Sequence, residues 1–370
     1  MPKFKRFLTT YFEALLPTLA VGLALLIGAV ILLALRVNPL AAYGAMVQGA
    51  LGNVNGLTQT VATATPLLFV GLGICIAFRG GVINIGGEGQ LVVGALAATA
   101  VALALPSLPG LILAPLVMLT GAAAGGVWGG IPGVLKARLG VNEILSTIMM
   151  NQIAVQFSNL LLRGPMLDPA MINVGAQVPQ SAPIPESAFL FRLVPRTLLH
   201  TGALVAVVMA VLVYIFLRRT TIGYRIRAVG LNPHAARYAG IRAPVYQALA
   251  LALAGAFAGL AGAVEVQGIH HRMLEGLSSG YGFSGIVVAL FGKLHPLGAL
   301  PAAFLFGGLL VGAGKMQRAV QVPSALIDAL QGMVVLFVVG SDIWVRYRAR
   351  QRQTQEAPKA VTGPVAEAEA

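Results

Sequence analysis

Between Glu88 and Lys136 the chain carries no acidic or basic side chain. That run is long enough for two membrane crossings of ~20 residues each. The prolines and glycine of 106–110 divide it into spans at 89–106 and 111–135. Similar apolar windows, uncharged or nearly so, lie at 15–35, 57–78, 144–162, 197–217, 243–264, about 283–294, about 296–313 and about 325–345. The break at 293–296 leaves 283–294 short, as a half-helix that enters and stops would be, and Asp328 interrupts the last window near its start. Hydrophobic residues make up 57% of the chain and charged residues only 10%, against about 25% charged in a soluble domain. The pattern predicts an all-α integral membrane protein, a bundle of about ten transmembrane helices. Long apolar runs exclude an outer-membrane barrel, whose strands show short alternating segments.

The net charge of +13 reads as membrane topology, with no nucleic-acid partner. Basic side chains gather in short segments beside spans, where they set orientation and meet lipid headgroups. Lys3, Lys5 and Arg6 precede the first apolar window, which exceeds the length of a signal-peptide core and reads as a retained helix. With ten crossings, most Lys and Arg fall on one side together with both termini, which predicts cytoplasmic ends; Lys315 and Arg318 are local exceptions. Eight crossings, with 283–313 re-entrant, fit the same rule. The chain divides into a cytoplasmic N-terminus (1–14), a transmembrane domain (15–345) and a disordered cytoplasmic tail (346–370). The outer loop 163–196 holds six prolines and reads as turn-rich and partly extended. Cys75 is the sole cysteine, so no internal disulfide forms.

Residues 218–242 form a basic island with six arginines and no acid, flanked by uncharged runs. Such a segment cannot lie in hydrocarbon, because each unsatisfied backbone group there costs several kcal/mol. Its charge places it on the cytoplasmic side, as a docking surface for a soluble partner. Gly-Leu-Asn-Pro at 230–233 predicts a turn, and 234–240 a short helix ended by glycine. An ordinary amphipathic loop at the headgroups is the plainer alternative.

Three other constellations stand out. In RGGVINIGGEGQ (79–90), glycines interrupt helix beside polar Asn84, Glu88 and Gln90. Irregular backbone at membrane depth suits a cavity lining, and it equally suits a turn whose Glu88 favours the start of the next helix. In GVNEILSTIMMNQ (140–152), Asn142, Glu143, Ser146, Thr147 and Asn151 follow helical spacing. Ser146 and Thr147 read as interhelical hydrogen-bonding groups; Glu143 reads as a helix-start residue; and Asn151 stays open. Near 264–284, Glu265 and Gln267 end a helix and His270, His271, Arg272 and Glu275 follow in a loop, without the spacing of a metal site. Small-xxx-small pairs such as Gly121/Gly125/Gly129/Gly133, Gly255/Gly259 and Gly308/Gly312 indicate close helix packing.

No phosphate-binding loop, nucleophile elbow or zinc-protease motif is present. Any ATP hydrolysis that drives this chain belongs to another polypeptide. An ion-coupled secondary transporter or channel is the rival class, but its buried paired acids are lacking, since Glu88, Glu143, Asp328 and Asp342 fall near span ends.

The stretches FRGGVINIGGEGQ (78–90), GVNEILSTIMMN (140–151), AVGLNPHAARYAGI (228–241), GYGFSGIVVALFG (280–292) and VPSALIDALQGMVVLFV (322–338) carry a resemblance. Together they cover most of 57–340. They resemble the permease subunit of ATP-binding cassette (ABC) importers of the ribose/branched-chain amino acid superfamily, and within it the nucleoside-type group. The segment GGVINIGGEGQ departs from the ribose-type pattern. The resemblance implies a type II importer fold with about ten helices, alternating access, and import of a nucleoside-like or simple-sugar solute through a bacterial inner membrane. Ribose-type sugars and branched-chain amino acids are the alternative solutes.

It also implies two cytoplasmic ATPase subunits or one tandem ATPase, a second permease subunit, alike or paralogous, and an extracytoplasmic solute-binding lipoprotein. This chain itself would bind no cofactor, ATP being used by the partners. The coupling segment falls at Gly230 to Gly240, with ATPase contacts at Asn232, His234, Arg237 and Tyr238. Asn84, Glu88, Gln90, Asn151, Tyr281 and Phe283 are the candidates for lining the solute path.

Overall fold

Backbone approaches backbone along the glycine stripe of the fifth helix. A Cβ built on Gly125 would stand 2.6 Å from Gly259 Cα, and one on Gly133 would stand 2.9 Å from Ala248 Cα. Helices in lipid gain little from apolar burial, and this approach replaces it with van der Waals contact.

A computed structural model describes residues 19, 22–174, 179–323, 329, 332–333, 336–337 and 340. It divides into two compact units, Asn38–Ser324 and the terminal segments Met1–Val37 with Ala325–Ala370. In the terminal unit, α1 (Gly22–Ala34) is a short apolar helix within the expected 15–35 window. The expected 325–345 span, its Asp328, and the 1–14 and 346–370 termini lie outside the continuously described residues.

The larger unit contains α2 (Pro39–Leu51), α3 (Val54–Arg79), α4 (Gly87–Ala104), α5 (Gly110–Leu139), α6 (Glu143–Leu162) and the short α7 (Pro169–Val174). After a 3₁₀ turn (Glu186–Ala188) come α8 (Gly202–Arg219), α9 (Thr221–Leu231), α10 (Pro233–Tyr238), α11 (Ala243–Glu265), α12 (Tyr281–Phe291) and α13 (Ala299–Val320). Six helices of the described residues are long and apolar enough to cross a membrane: α3, α4, α5, α8, α11 with its extension to His270, and α13. Side-chain caps set several starts. Asn53 Oδ1 accepts the Gly56 N–H at 2.6 Å, Asn142 Oδ1 that of Ile144 at 2.9 Å, and Thr220 Oγ1 that of Gly223 at 3.0 Å. Helix α5 ends at Gly140 in the left-handed conformation (φ 68°).

α11 packs between α3, α4 and α5 and forms the centre of this unit, with Ala250, Leu251, Ala261, Ala263 and Val264 fully buried. α12 has only 11 residues, in keeping with the half-helix expected at 283–294. Three features depart from the sequence reading. α2 is a helix in the stretch between the 15–35 and 57–78 windows, where no span is expected; its start is fixed by Asn38, which accepts the Leu40 N–H at 2.9 Å. α8 begins at Gly202, later than the 197 of the hydropathy window. α11 continues past Glu265 as a π-helical turn, Val266–His270, so Gln267 and His270 lie on helix.

Candidate functional site

The basic island is mostly helical. Arg218 and Arg219 close α8, and α9 and α10 account for most of the rest. Asn232 joins α9 to α10: its Oδ1 accepts the N–H groups of His234 and Ala235, both at 3.0 Å, while Pro233 opens α10. Ala236 is buried against Val229 and Ala243, with Ile241 and Tyr246 packed around them. That anchor leaves Asn232, His234, Arg237 and Tyr238 exposed, Tyr238 at 95%. Gly240 follows with φ 78°. Beside α10 lies a cleft of about 400 Å³ lined by Tyr224, Arg225, Gly240, Ile241, Arg242 and Tyr246. Arg225 Nη1 donates to the Tyr246 hydroxyl at 2.7 Å across it.

Gly230 connects this surface to the bundle. A Cβ there would collide with the Arg79 carbonyl and stand 2.8 Å from Gly81 N. Gly81 itself has φ 71°. The end of α9 therefore rests on the irregular segment between α3 and α4. Arg79 Nε in turn donates to the Leu294 carbonyl at 3.1 Å, tying in the turn between α12 and α13.

The irregular segment is closed by reciprocal amides. Asn84 Nδ2 donates to Gln90 Oε1 at 2.9 Å, and Gln90 Nε2 donates back to Asn84 Oδ1 at 3.1 Å. Asn84 Oδ1 also accepts the Gly86 N–H at 2.9 Å. From α6, Asn151 Oδ1 accepts the Gly89 N–H at 2.8 Å and its Nδ2 donates to the Ile85 carbonyl at 2.9 Å. Asn84, Gln90 and Asn151 are all buried, and an unpaired amide there would be costly. Thr147 spends its hydroxyl proton on its own helix at Glu143 O and accepts the Ile85 N–H at 3.4 Å; Ser146 bonds within its helix. Glu143 pairs with Lys136 across the α5–α6 turn.

Glu88, half-buried in the first turn of α4, does more than favour its own helix. Its Oε1 accepts the Gly280 N–H at 3.1 Å and its Oε2 that of Gly282 at 2.8 Å, so it caps α12. Tyr281 opens α12, while Phe283 is 48% exposed. The structure thus brings Asn84, Gln90 and Asn151 into one network, with Glu88 and Tyr281 at the start of α12.

At the opposite end of α11, Gln267 Nε2 donates to the carbonyls of Ala114 (3.1 Å) and Ala188 (2.9 Å). The 179–190 part of the 163–196 loop runs along 267–275, with Ser181 N–H to Met273 O and Ile184 N–H to His271 O both at 2.9 Å. Buried Glu265 has His270 Nε2 3.5 Å from one carboxylate oxygen. The sequence places Glu265 at a helix end; the π-helical turn keeps it inside. Among the described residues no group of three or more His, Cys, Asp or Glu is placed to hold a metal ion.

Residues 56–339 match the family described as branched-chain amino acid transport system / permease component. The chain belongs to that permease family. Similar proteins include the glucose ABC transporter permease protein TsgB13 of Haloferax volcanii, 38% identical over 94% of this chain and 93% of that one. The guanosine ABC transporter permease protein NupP of Bacillus subtilis is 39% identical over 88% and 93%. The nucleoside ABC transporter permease protein NupB of Lactococcus lactis is 33% identical over 88% and 90%. No solved structure matches the permease. It is an integral membrane protein and a permease subunit of an ABC importer.

Proposed function

We propose that this permease moves a nucleoside-like solute inward across a bacterial inner membrane by alternating access. Two relatives that it matches over nearly nine-tenths of its length are named for guanosine and nucleosides, and this is the observation that carries the reading. A simple sugar is the second reading, supported by the glucose-named relative. The chain has no ATPase site of its own and binds no cofactor. ATP is used by two cytoplasmic ATPase subunits or one tandem ATPase that dock on Asn232, His234, Arg237 and Tyr238, between Gly230 and Gly240. Both termini are cytoplasmic, and the 163–196 loop faces a solute-binding lipoprotein on the other side. A second permease subunit completes the path. Asn84, Glu88, Gln90, Asn151, Tyr281 and Phe283 belong to the wall and hinge of that path.

ATP can shift the equilibrium between inward- and outward-open forms only as far as its partner grips this surface differently in the two. The exposed row on α10 offers the grip, and the contact from Gly230 to Gly81 carries its displacement to the α3–α4 break. The test is uptake by proteoliposomes holding the complete complex, with nucleosides, glucose and branched-chain amino acids in competition. Nucleosides should compete best; competition by glucose alone would select the sugar reading.

A further inference from the structure

Two spans meet water at a cleft whose positive charge has no counterpart. Tyr224 and Arg225 follow within two turns of the end of α8, and Arg242 immediately precedes α11, with Tyr246 one turn further along. α8 and α11 are both long and apolar enough to cross a membrane. The cleft that these four residues line with Gly240 and Ile241 therefore lies at the depth of the lipid headgroups. Tyrosine gathers at that depth, with its ring in apolar surroundings and its hydroxyl in water. Among the described residues neither Arg225 nor Arg242 has an acidic partner, and residues 218–242 contain no acid at all.

Most hydrogen-bond donors in the cleft are uncommitted. Arg225 Nη1 gives one N–H to the Tyr246 hydroxyl at 2.7 Å, and the guanidinium carbon stands 5.8 Å from the centre of that ring. A guanidinium has five N–H groups, so most of this one remains. The Tyr246 hydroxyl, an acceptor in that bond, keeps its own proton to give. Arg242 and Tyr224 make no side-chain hydrogen bond among the described residues, and both are exposed. Two guanidiniums and two phenols thus border one concave space of about 400 Å³, with no acid to meet them.

We propose that this cleft binds the phosphodiester headgroup of an anionic membrane lipid. A guanidinium fork matches two phosphate oxygens, and each bond so formed is charge-assisted. Arg242 and the free N–H groups of Arg225 hold the non-bridging oxygens, and the tyrosine hydroxyls donate beside them. Ile241 and the tyrosine rings meet the glycerol backbone. Position favours lipid over a soluble protein: the exposed row on α10 lies farther along the chain, whereas the cleft sits against the ends of two spans. A headgroup held there bridges α9 to the start of α11, and so braces the helix that ends at the Gly230–Gly81 contact.

The complete complex of this chain with its partner subunits, wild type or R225Q/R242Q, is reconstituted in vesicles of equal phosphatidylglycerol and phosphatidylcholine. It is then extracted, and the lipid that stays bound is counted by mass spectrometry of the intact complex, with co-purification of the partners as the measure of assembly. The wild type should retain phosphatidylglycerol in preference to phosphatidylcholine. The double variant should assemble normally and lose that preference at least about tenfold. R225K/R242K keeps the charge but lacks the fork, so it should recover only part of it. R218Q/R219Q removes two charges at the end of α8, outside the cleft, and should keep the preference. Equal preference in the wild type and R225Q/R242Q would overturn the site. An equal loss in R218Q/R219Q, or full recovery in the lysine pair, would reduce it to general surface charge and overturn it too. Displacement of the bound lipid by glycerol phosphate in solution would assign the cleft to a soluble phosphate compound, and loss of the ATPase from R225Q/R242Q with lipid retained would assign it to that partner; either result rejects the lipid.

Discussion

Gly81 and Gly230 meet backbone to backbone: a Cβ built on Gly81 would stand 2.9 Å from Gly230 Cα. No side chain separates α9 from the α3–α4 break, so displacement of α9 moves the segment that Asn84, Gln90 and Asn151 hold closed. Gly230→Ala should push the two apart, because its Cβ has only backbone to meet. The variant complex should still assemble and hydrolyse ATP, while uptake in proteoliposomes falls at least about tenfold. Full uptake by Gly230→Ala would show that the contact transmits nothing.

A different outcome is expected where the partner would be touched directly. Arg237 and Tyr238 are exposed and support no packing in this chain, whereas Ala236 between them and Pro233 supplies the anchor. Arg237→Glu and Tyr238→Ala should leave the thermal stability of the isolated permease within about 0.5 kcal/mol. Co-purification of the ATPase should fall sharply, most for the charge reversal. Ala236→Asp should instead unfold α10 locally. Retention of the ATPase by Arg237→Glu at physiological salt would move the docking site elsewhere.

These two roles differ in how far the sequence reveals them. The limits of α3, α4, α5 and α11 follow from charge and glycine spacing, since a run without charge can only end where water begins. The 121–133 glycine stripe was legible because its four-residue period faces one neighbour. Of the island's helices, α10 was legible as the short helix expected at 234–240, whereas α9 was not. Gly223, Gly230 and Pro233 look like turn formers, yet Gly223 is small to lie on α8, where a Cβ would stand 2.7 Å from Leu217 Cα, and Pro233 opens a helix. Both reasons are tertiary. The Asn84–Gln90 pair was legible as polar residues beside a helix break, but their satisfaction of each other depends on how the chain folds back.

Glu88 offers a prediction about the fold itself. Its carboxylate accepts two N–H groups at the start of α12, and charge-assisted bonds of this kind contribute about 1.5–3 kcal/mol. Glu88→Ala should lower the stability of the detergent-solubilised permease by about 2 kcal/mol, and Glu88→Gln, which keeps one acceptor, by less. Thermal unfolding with a helix-sensitive probe measures both. Equal stability of the alanine variant and wild type would mean that water replaces the cap.

The last prediction concerns pH at the end of the molecule remote from α10. His200 lies ahead of α8, almost fully buried, and its Nδ1 accepts the Gly202 N–H at 3.2 Å. Burial, with His271 and Arg192 nearby, pushes its imidazole down from 6.5 to about 4. Partial burial also holds His271 below its ordinary value, helped by Arg192. The folded protein therefore keeps His200 neutral at pH values where the unfolded chain protonates it. Its contribution is complete above about pH 6.5, is lost progressively as pH falls toward 4, and changes no further below that, where both states are protonated. The full effect is on the order of 3 kcal/mol. Protonation would also remove the acceptor that holds Gly202. Midpoints of thermal unfolding between pH 7.5 and 4.5 should fall more steeply for the wild type than for His200→Gln, which does not titrate. Parallel curves would show that the imidazole is hydrated or shares its proton in a way the buried geometry does not provide.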